Sequence, residues 1–173
     1  MTATYRYDVE VLHLLVSPAH AYFGRARDGA AEVPTTDAER VELVAGKGVV
    51  GDRFFGKAAH MDAAVTLLAV EALEAMAADL RTDSFDPLLT RRNVVLRGAL
   101  VRLRGGRPAH PFVWMDRVLA PGAHAAMRGR GGLRCRPLSS GDLHRGPAVL
   151  HSPVPLEPEL AGAAVLRRPS RLP

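Results

Sequence analysis

Helical spacing is rare in this chain, and that rarity limits the fold more than any other feature. A single stretch carries it clearly: Leu68, Ala72, Met76 and Leu80 share one face at spacings near 3.6 residues. Elsewhere the apolar runs are short and are broken by 16 glycines and 13 prolines. From Tyr5 to Leu15 the alternation has a period of two, with Tyr5, Tyr7, Val9, Val11 and Leu15 opposite Arg6, Asp8 and Glu10, which describes a half-buried strand. Ser17-Pro18 ends it, because proline has no amide proton for a ladder. Further strands are expected at Val41–Ala45, Asn93–Leu96 and Val101–Leu103. Leu133–Leu138 and Leu143–Leu150 are expected to form a hairpin around Ser139–Asp142. Pro121–Arg128 suits a short helical turn, with proline at its start and Gly129 after its end. Many short strands with one main helix predict a mainly β barrel, not a parallel sheet wound with helices.

A chain of 173 residues suffices for one core. Residues 1–150 are assigned to a single domain, and 151–173, with five prolines, to a poorly ordered tail. Apolar runs are too short to span a bilayer. Met1–Glu10 lacks a basic segment leading into an apolar run, so no signal peptide is read there and a cytoplasmic location is expected. Cys135 stands alone, which excludes an internal disulfide and a four-cysteine zinc site. No two of the seven histidines lie closer than seven residues, so no local two-histidine metal pair exists, and no metal site is assigned.

The net charge is +5, and Lys47 and Lys57 are the only lysines among 23 basic residues. Arginine presents a planar fork of donors suited to phosphate and carboxylate, so the expected partner is an anionic small molecule or cofactor. Gly46-Lys47-Gly48-Val49-Val50-Gly51 has the spacing of a dinucleotide fingerprint, but Asp52–Lys57 does not open a helix, and that reading is set aside. Asp52 fits a turn-stabilising carboxylate, with Arg53 beside it. Arg91-Arg92-Asn93 offers many donors at a strand start, suited to a phosphate or to a solvated strand end. Arg128-Gly129-Arg130-Gly131-Gly132-Leu133-Arg134-Cys135-Arg136 is either an anion nest or a solvated loop. On the strand that follows, Arg134 and Arg136 share one face and Cys135 the other, where a small core residue is expected. Trp114 fits a core position or a pocket wall.

Several of these motifs, in order, resemble the MOSC family, the domain found at the C-terminus of molybdenum cofactor sulfurases. The match runs over roughly residues 8 to 150 through Gly48–Gly56, Thr90–Val95 leading to Arg97-Gly98, Pro111–Met115, Gly129–Gly132 and Gly141–Gly146. The resemblance implies a closed or nearly closed β-barrel related to one in pyruvate kinase. It also implies binding of the molybdenum cofactor, a pterin dithiolene bearing a phosphate, and kinship with sulfur carriers and cofactor-dependent reductases. Carried over by position, Arg53, Arg91, Arg92 and Asn93 belong to the cofactor pocket, with Arg130, Gly131 and Gly132 as further binding residues. Pyridoxal phosphate is associated with the family through a separate desulfurase domain that has no counterpart here, so neither lysine is expected to hold it. Two departures stand out. The family's cysteine, a molybdenum ligand or sulfur acceptor, is replaced by Phe112, which can do neither, so no catalytic residue is assigned. A segment holding a strand pair is missing after Gly98, which leaves open how the barrel closes. The alternative function is a non-enzymatic anion or nucleic-acid binding module; the aromatic platform of a single-strand binder is not evident in the sequence, so nucleic acid is the less expected partner.

Overall fold

A computed structural model of the chain describes residues 5–23, 25, 28–98, 114–152 and 170–171. These are mainly β, in two mixed or antiparallel sheets with few helices, and their ladders do not close into one barrel. Strand β1 (Tyr5–Val16) follows the alternation of its sequence: Tyr7, Val9 and Val11 are buried while Asp8 and Glu10 are exposed. It is the organising strand. Residues Tyr5–Val11 pair antiparallel with a late strand that runs Gly146–Ser152, and Glu10–Leu14 pair antiparallel with one that runs Val94–Arg97.

In chain order the remaining strands are β2 (Thr36–Asp37), β3 (Arg40–Val44), β4 (Gly48–Val49), β5 (Val65–Ala69), β6 (Val94–Arg97), β7 (Leu133–Cys135), β8 (Gly141–His144), β9 (Gly146–Ser152) and β10 (Ser170–Arg171). The larger sheet runs β10-β1-β6-β5-β7, with β2 and β9 also on β1, and β5 and β6 are parallel within it. The smaller sheet is β4-β3-β8. Helix α1 (Val70–Asp79) follows β5 directly, so the expected helix begins two residues after Leu68, which belongs to the strand. Two one-turn helices, α2 (Met115–Val118) and α3 (Ala123–Ala126), pack with α1 in a cluster of Leu68, Leu73, Met76, Met115, Ala123 and Met127. No helix among the described residues is long and apolar enough to cross a membrane.

The expected hairpin between Leu133 and Leu150 is not formed. β7 pairs with β5, β8 with β3 and β9 with β1, so the three segments go to three different partners. The physical reason lies at Arg145, between β8 and β9. The register of β1 on β6 shifts between Val11 and His13. The Leu12 carbonyl accepts from Arg145 Nε at 2.7 Å, while the same guanidinium reaches Asp37 and Glu39. That anchor turns the chain from the smaller sheet into the larger one.

The domain boundary read at residue 150 falls inside β9, and Ser152 and Arg171 both sit opposite Tyr5 of β1. The strand expected at Val101–Leu103, the missing strand pair after Gly98, and Pro111 and Phe112 lie outside the described residues. After Gly51 the chain runs through turns to a 3-10 helix, Ala58–Ala63, and no α-helix opens at the glycine turn, so no dinucleotide fingerprint is built.

Candidate functional site

The turn at Arg91 brings the site together. A single 3-10 turn, Pro87–Thr90, starts with Asp86 accepting from the Leu88 amide and ends with Arg91 in the left-handed region at φ +54°. A non-glycine residue there costs on the order of 1–3 kcal/mol, so surrounding contacts must hold it. They do. Arg91 Nε donates to Ser17 Oγ at 3.2 Å, its Nη2 donates to the Ala19 carbonyl at 2.6 Å, and its carbonyl accepts from Arg53 Nη2 at 3.3 Å. The reversal at Arg91 delivers Arg92 and Asn93 into the start of β6.

Asn93 is 2% exposed and satisfies three elements at once. Its Oδ1 accepts from the amide and hydroxyl of Thr66 on β5, and its Nδ2 donates to the Leu15 carbonyl on β1 and to Asp52 Oδ2. Asp52 in turn accepts from the amides of Ser17 and Phe54 and from Arg53. This carboxylate therefore fixes the turn that the sequence assigned to it and also aims Arg53. Asn93 acts from behind the cavity as a positioning residue.

The cavity itself is about 230 Å³. Arg53, Arg92 and Arg134 form its basic wall, with Thr66 between the last two, while Phe54, Tyr22 and Trp114 supply aromatic surface. Arg92 is 7% exposed, and its Nε is buried without any partner. Burial, first, and then the charges of Arg134 and Arg53 pull its pKa down to about 10, so it remains charged at neutral pH. Burial also lowers Arg53 and Arg91, with Asp52 offsetting part of that loss. Two further donors nearby are buried and unpartnered, Arg91 Nη1 and the Tyr22 hydroxyl, whose pKa burial raises. Such a group of unsatisfied donors is costly unless an acceptor-rich ligand completes it.

The sequence-assigned residues separate into groups. Arg53 and Arg92 line the cavity, while Arg91 and Asn93 stand behind it. Arg130 instead pairs with Asp79 at the end of α1. Gly131 is buried, and Gly132 lies against β5, where a Cβ would meet the Leu67 carbonyl oxygen at 2.0 Å. In that glycine-rich run it is Arg134 that reaches the cavity, because the alternation of β7 turns it to the side opposite Cys135. Residues not assigned from sequence are His20, Tyr22, Phe54 and His60, drawn from a loop, a turn and the 3-10 helix Ala58–Ala63 with no periodic signal; Trp114, which fits a core position or a pocket wall, lines the cavity.

No protein-family model matches the sequence, and no curated protein matches it. The crystal structure of the YuaD protein from Bacillus subtilis is similar in fold, with a TM-score of 0.65 over 84% of this chain and 96% of that one. Sequence identity is 16%, so the likeness is one of fold alone.

Proposed function

We propose that this chain is a MOSC-like protein whose arginine-walled cavity seats the phosphate of an anionic cofactor, the molybdenum cofactor being the one its family resemblance implies. One observation carries the reading: the Arg92 guanidinium is buried at the cavity wall with an unpartnered Nε and two other arginines, Arg53 and Arg134, beside it. An oxyanion offers the acceptor that Arg92 Nε lacks, and charge-assisted bonds to guanidinium forks are the stronger kind. On this reading the two sheets are the walls of the family's barrel, joined where β8 passes into β9.

The donor set fits the phosphate end of that cofactor. For the metal end, among the described residues no three His, Cys, Asp or Glu side chains converge. Cys135 lines a different, apolar cavity, and burial raises its thiol pKa, which disfavours the thiolate. When bound, the cofactor would supply metal-centred redox or sulfur chemistry. The chain's own part is to hold and orient the phosphate, and with phenylalanine at position 112 it has lost the family's usual ligand or sulfur acceptor. A polynucleotide partner is less well supported, since Arg130 and Arg136 are engaged by Asp79 and Asp62.

The test is purification from a host that makes molybdopterin, with bound pterin and molybdenum measured for the natural chain, Phe112→Cys and Arg92→Ala. The natural chain is expected to retain pterin with little metal, Phe112→Cys to hold more metal, and Arg92→Ala to lose both. Equal stoichiometric metal in the natural chain and Phe112→Cys would refute the role given to position 112. A natural chain free of pterin would refute the cofactor.

A further inference from the structure

Phe, Trp and Tyr make up only 5% of this chain, yet Tyr22, Phe23, Phe54 and Trp114 all lie in or beside one cavity. Tyr22 stacks on Trp114 with centroids 5.3 Å apart. Other rings at this cavity form a row. Phe23 meets His20 at 6.1 Å, His20 meets Phe54 at 5.0 Å and Phe54 meets His60 at 4.7 Å. His20, Phe54 and His60 line the cavity, and Phe23 continues the row outward at 64% exposure. The row does not bury its members in a core, because both histidines are exposed as well.

Arg53 ties this row to the anion seat, since its guanidinium lies 4.7 Å from the centre of the Phe54 ring while the same side chain lines the basic wall. Burial, then Arg53, Arg91 and His60, lower the pKa of His20, with Asp52 opposing; His20 is therefore a neutral ring at neutral pH. The enclosed volume of about 230 Å³ is below the roughly 300–1,000 Å³ usual for small-molecule sites. A ligand whose anionic end sits at Arg92 thus extends past the mouth, where it meets aromatic surface.

From this juxtaposition we infer that the cavity also accepts nucleotides, phosphate esters whose far end is a planar base, with the phosphate at Arg92 and the base against the His20, Phe54 and His60 rings. The inference rests on the anion seat proposed above, not on the pterin, and adds a ligand class to that seat. Aromatic stacking tolerates any base, so the site selects for a base over none more strongly than for one base over another.

The full-length chain is titrated at fixed ionic strength with inorganic phosphate, ribose 5-phosphate, AMP and CMP. Both nucleotides are expected to bind about tenfold tighter than ribose 5-phosphate, the size of one good stacking contact. Phe54→Leu should narrow that gap to about twofold. Phe23→Ser, at an exposed position that does not threaten folding, should narrow it less. Equal binding of nucleotides and ribose 5-phosphate overturns the nucleotide and leaves the anion seat standing. No binding by any of the four, phosphate included, overturns the seat and the inference with it. Affinity for oligothymidylates that keeps rising with length would overturn the nucleotide in favour of a single-stranded polymer.

Discussion

Arg92 and Asn93 are adjacent in sequence, both buried, and opposite in energetic character. Asn93 has every polar group matched, whereas Arg92 keeps a charge in the interior without an acceptor at Nε. With a folded pKa of about 10, well below the ordinary value of a free guanidinium, Arg92 holds its proton less tightly in the folded chain than in the unfolded one. The resulting cost, on the order of 3 kcal/mol, is fully present at neutral pH and is relieved only as pH rises through about 10. Arg92→Met is therefore expected to raise the unfolding free energy at pH 7, read from urea curves, by about 1–3 kcal/mol, while abolishing phosphate binding. Asn93→Ala should lower stability by about 3 kcal/mol, because Asp52, Thr66 and the Leu15 carbonyl each lose a buried partner. It should weaken phosphate binding too, since Asp52, which aims Arg53, loses the Asn93 amide that holds it. The two variants agree on binding and disagree in sign on stability, and a pair of denaturant curves separates them.

At the scale of elements, β5 and β7 show how local pattern becomes a site. Thr66 faces the arginine cavity while Val65 and Leu67 face the apolar cavity; on β7, Arg134 and Cys135 divide the same way. The two strands come close enough to pair only because Gly132 has no side chain over the Leu67 carbonyl, and its φ of +81° also favours glycine. Gly132→Ala is expected to destabilise the fold by more than about 3 kcal/mol and to withdraw Arg134 from the cavity, giving a lower melting temperature and weaker phosphate binding together. Much of this pattern was legible in the sequence. The alternation of Tyr5–Leu15 and the helical face ending at Leu80 specify element types, and the donor-rich Arg91-Arg92-Asn93 marks where guanidiniums gather. Partner choice was not legible: the segments from Leu133 to Leu150 have strand pattern, but periodicity says nothing of which edge each strand joins. His20, Phe54 and His60 are equally hidden, because tertiary contacts gather them from separate segments; the family resemblance points to Arg130, but Arg130 pairs with Asp79 and strand alternation aims Arg134 into the cavity.

On the scale of the whole molecule, the β6-β5-β7 wall separates two interiors of opposite character. Val94, Leu96, Val65, Leu67 and Cys135 face an apolar cavity of about 290 Å³, and Arg92, Thr66 and Arg134 face the arginine-walled cavity. Repulsion of Arg92 by Arg53 and Arg134 acts across strands that the apolar face holds together, a strain that an anion would relieve on the proposed reading. Linkage makes this measurable. A ligand at one hundred times its dissociation constant stabilises the folded chain by about 2.7 kcal/mol, provided that it does not bind the unfolded one. In chloride buffer Arg92→Met should melt above the natural chain, having lost the buried charge. As phosphate is added at constant ionic strength, the natural chain should climb, by about 2–4 °C for each kcal/mol, while the variant stays level. The order of the two melting temperatures then inverts. Parallel curves, with both proteins rising equally, would mean that phosphate acts by exclusion from the surface rather than at Arg92.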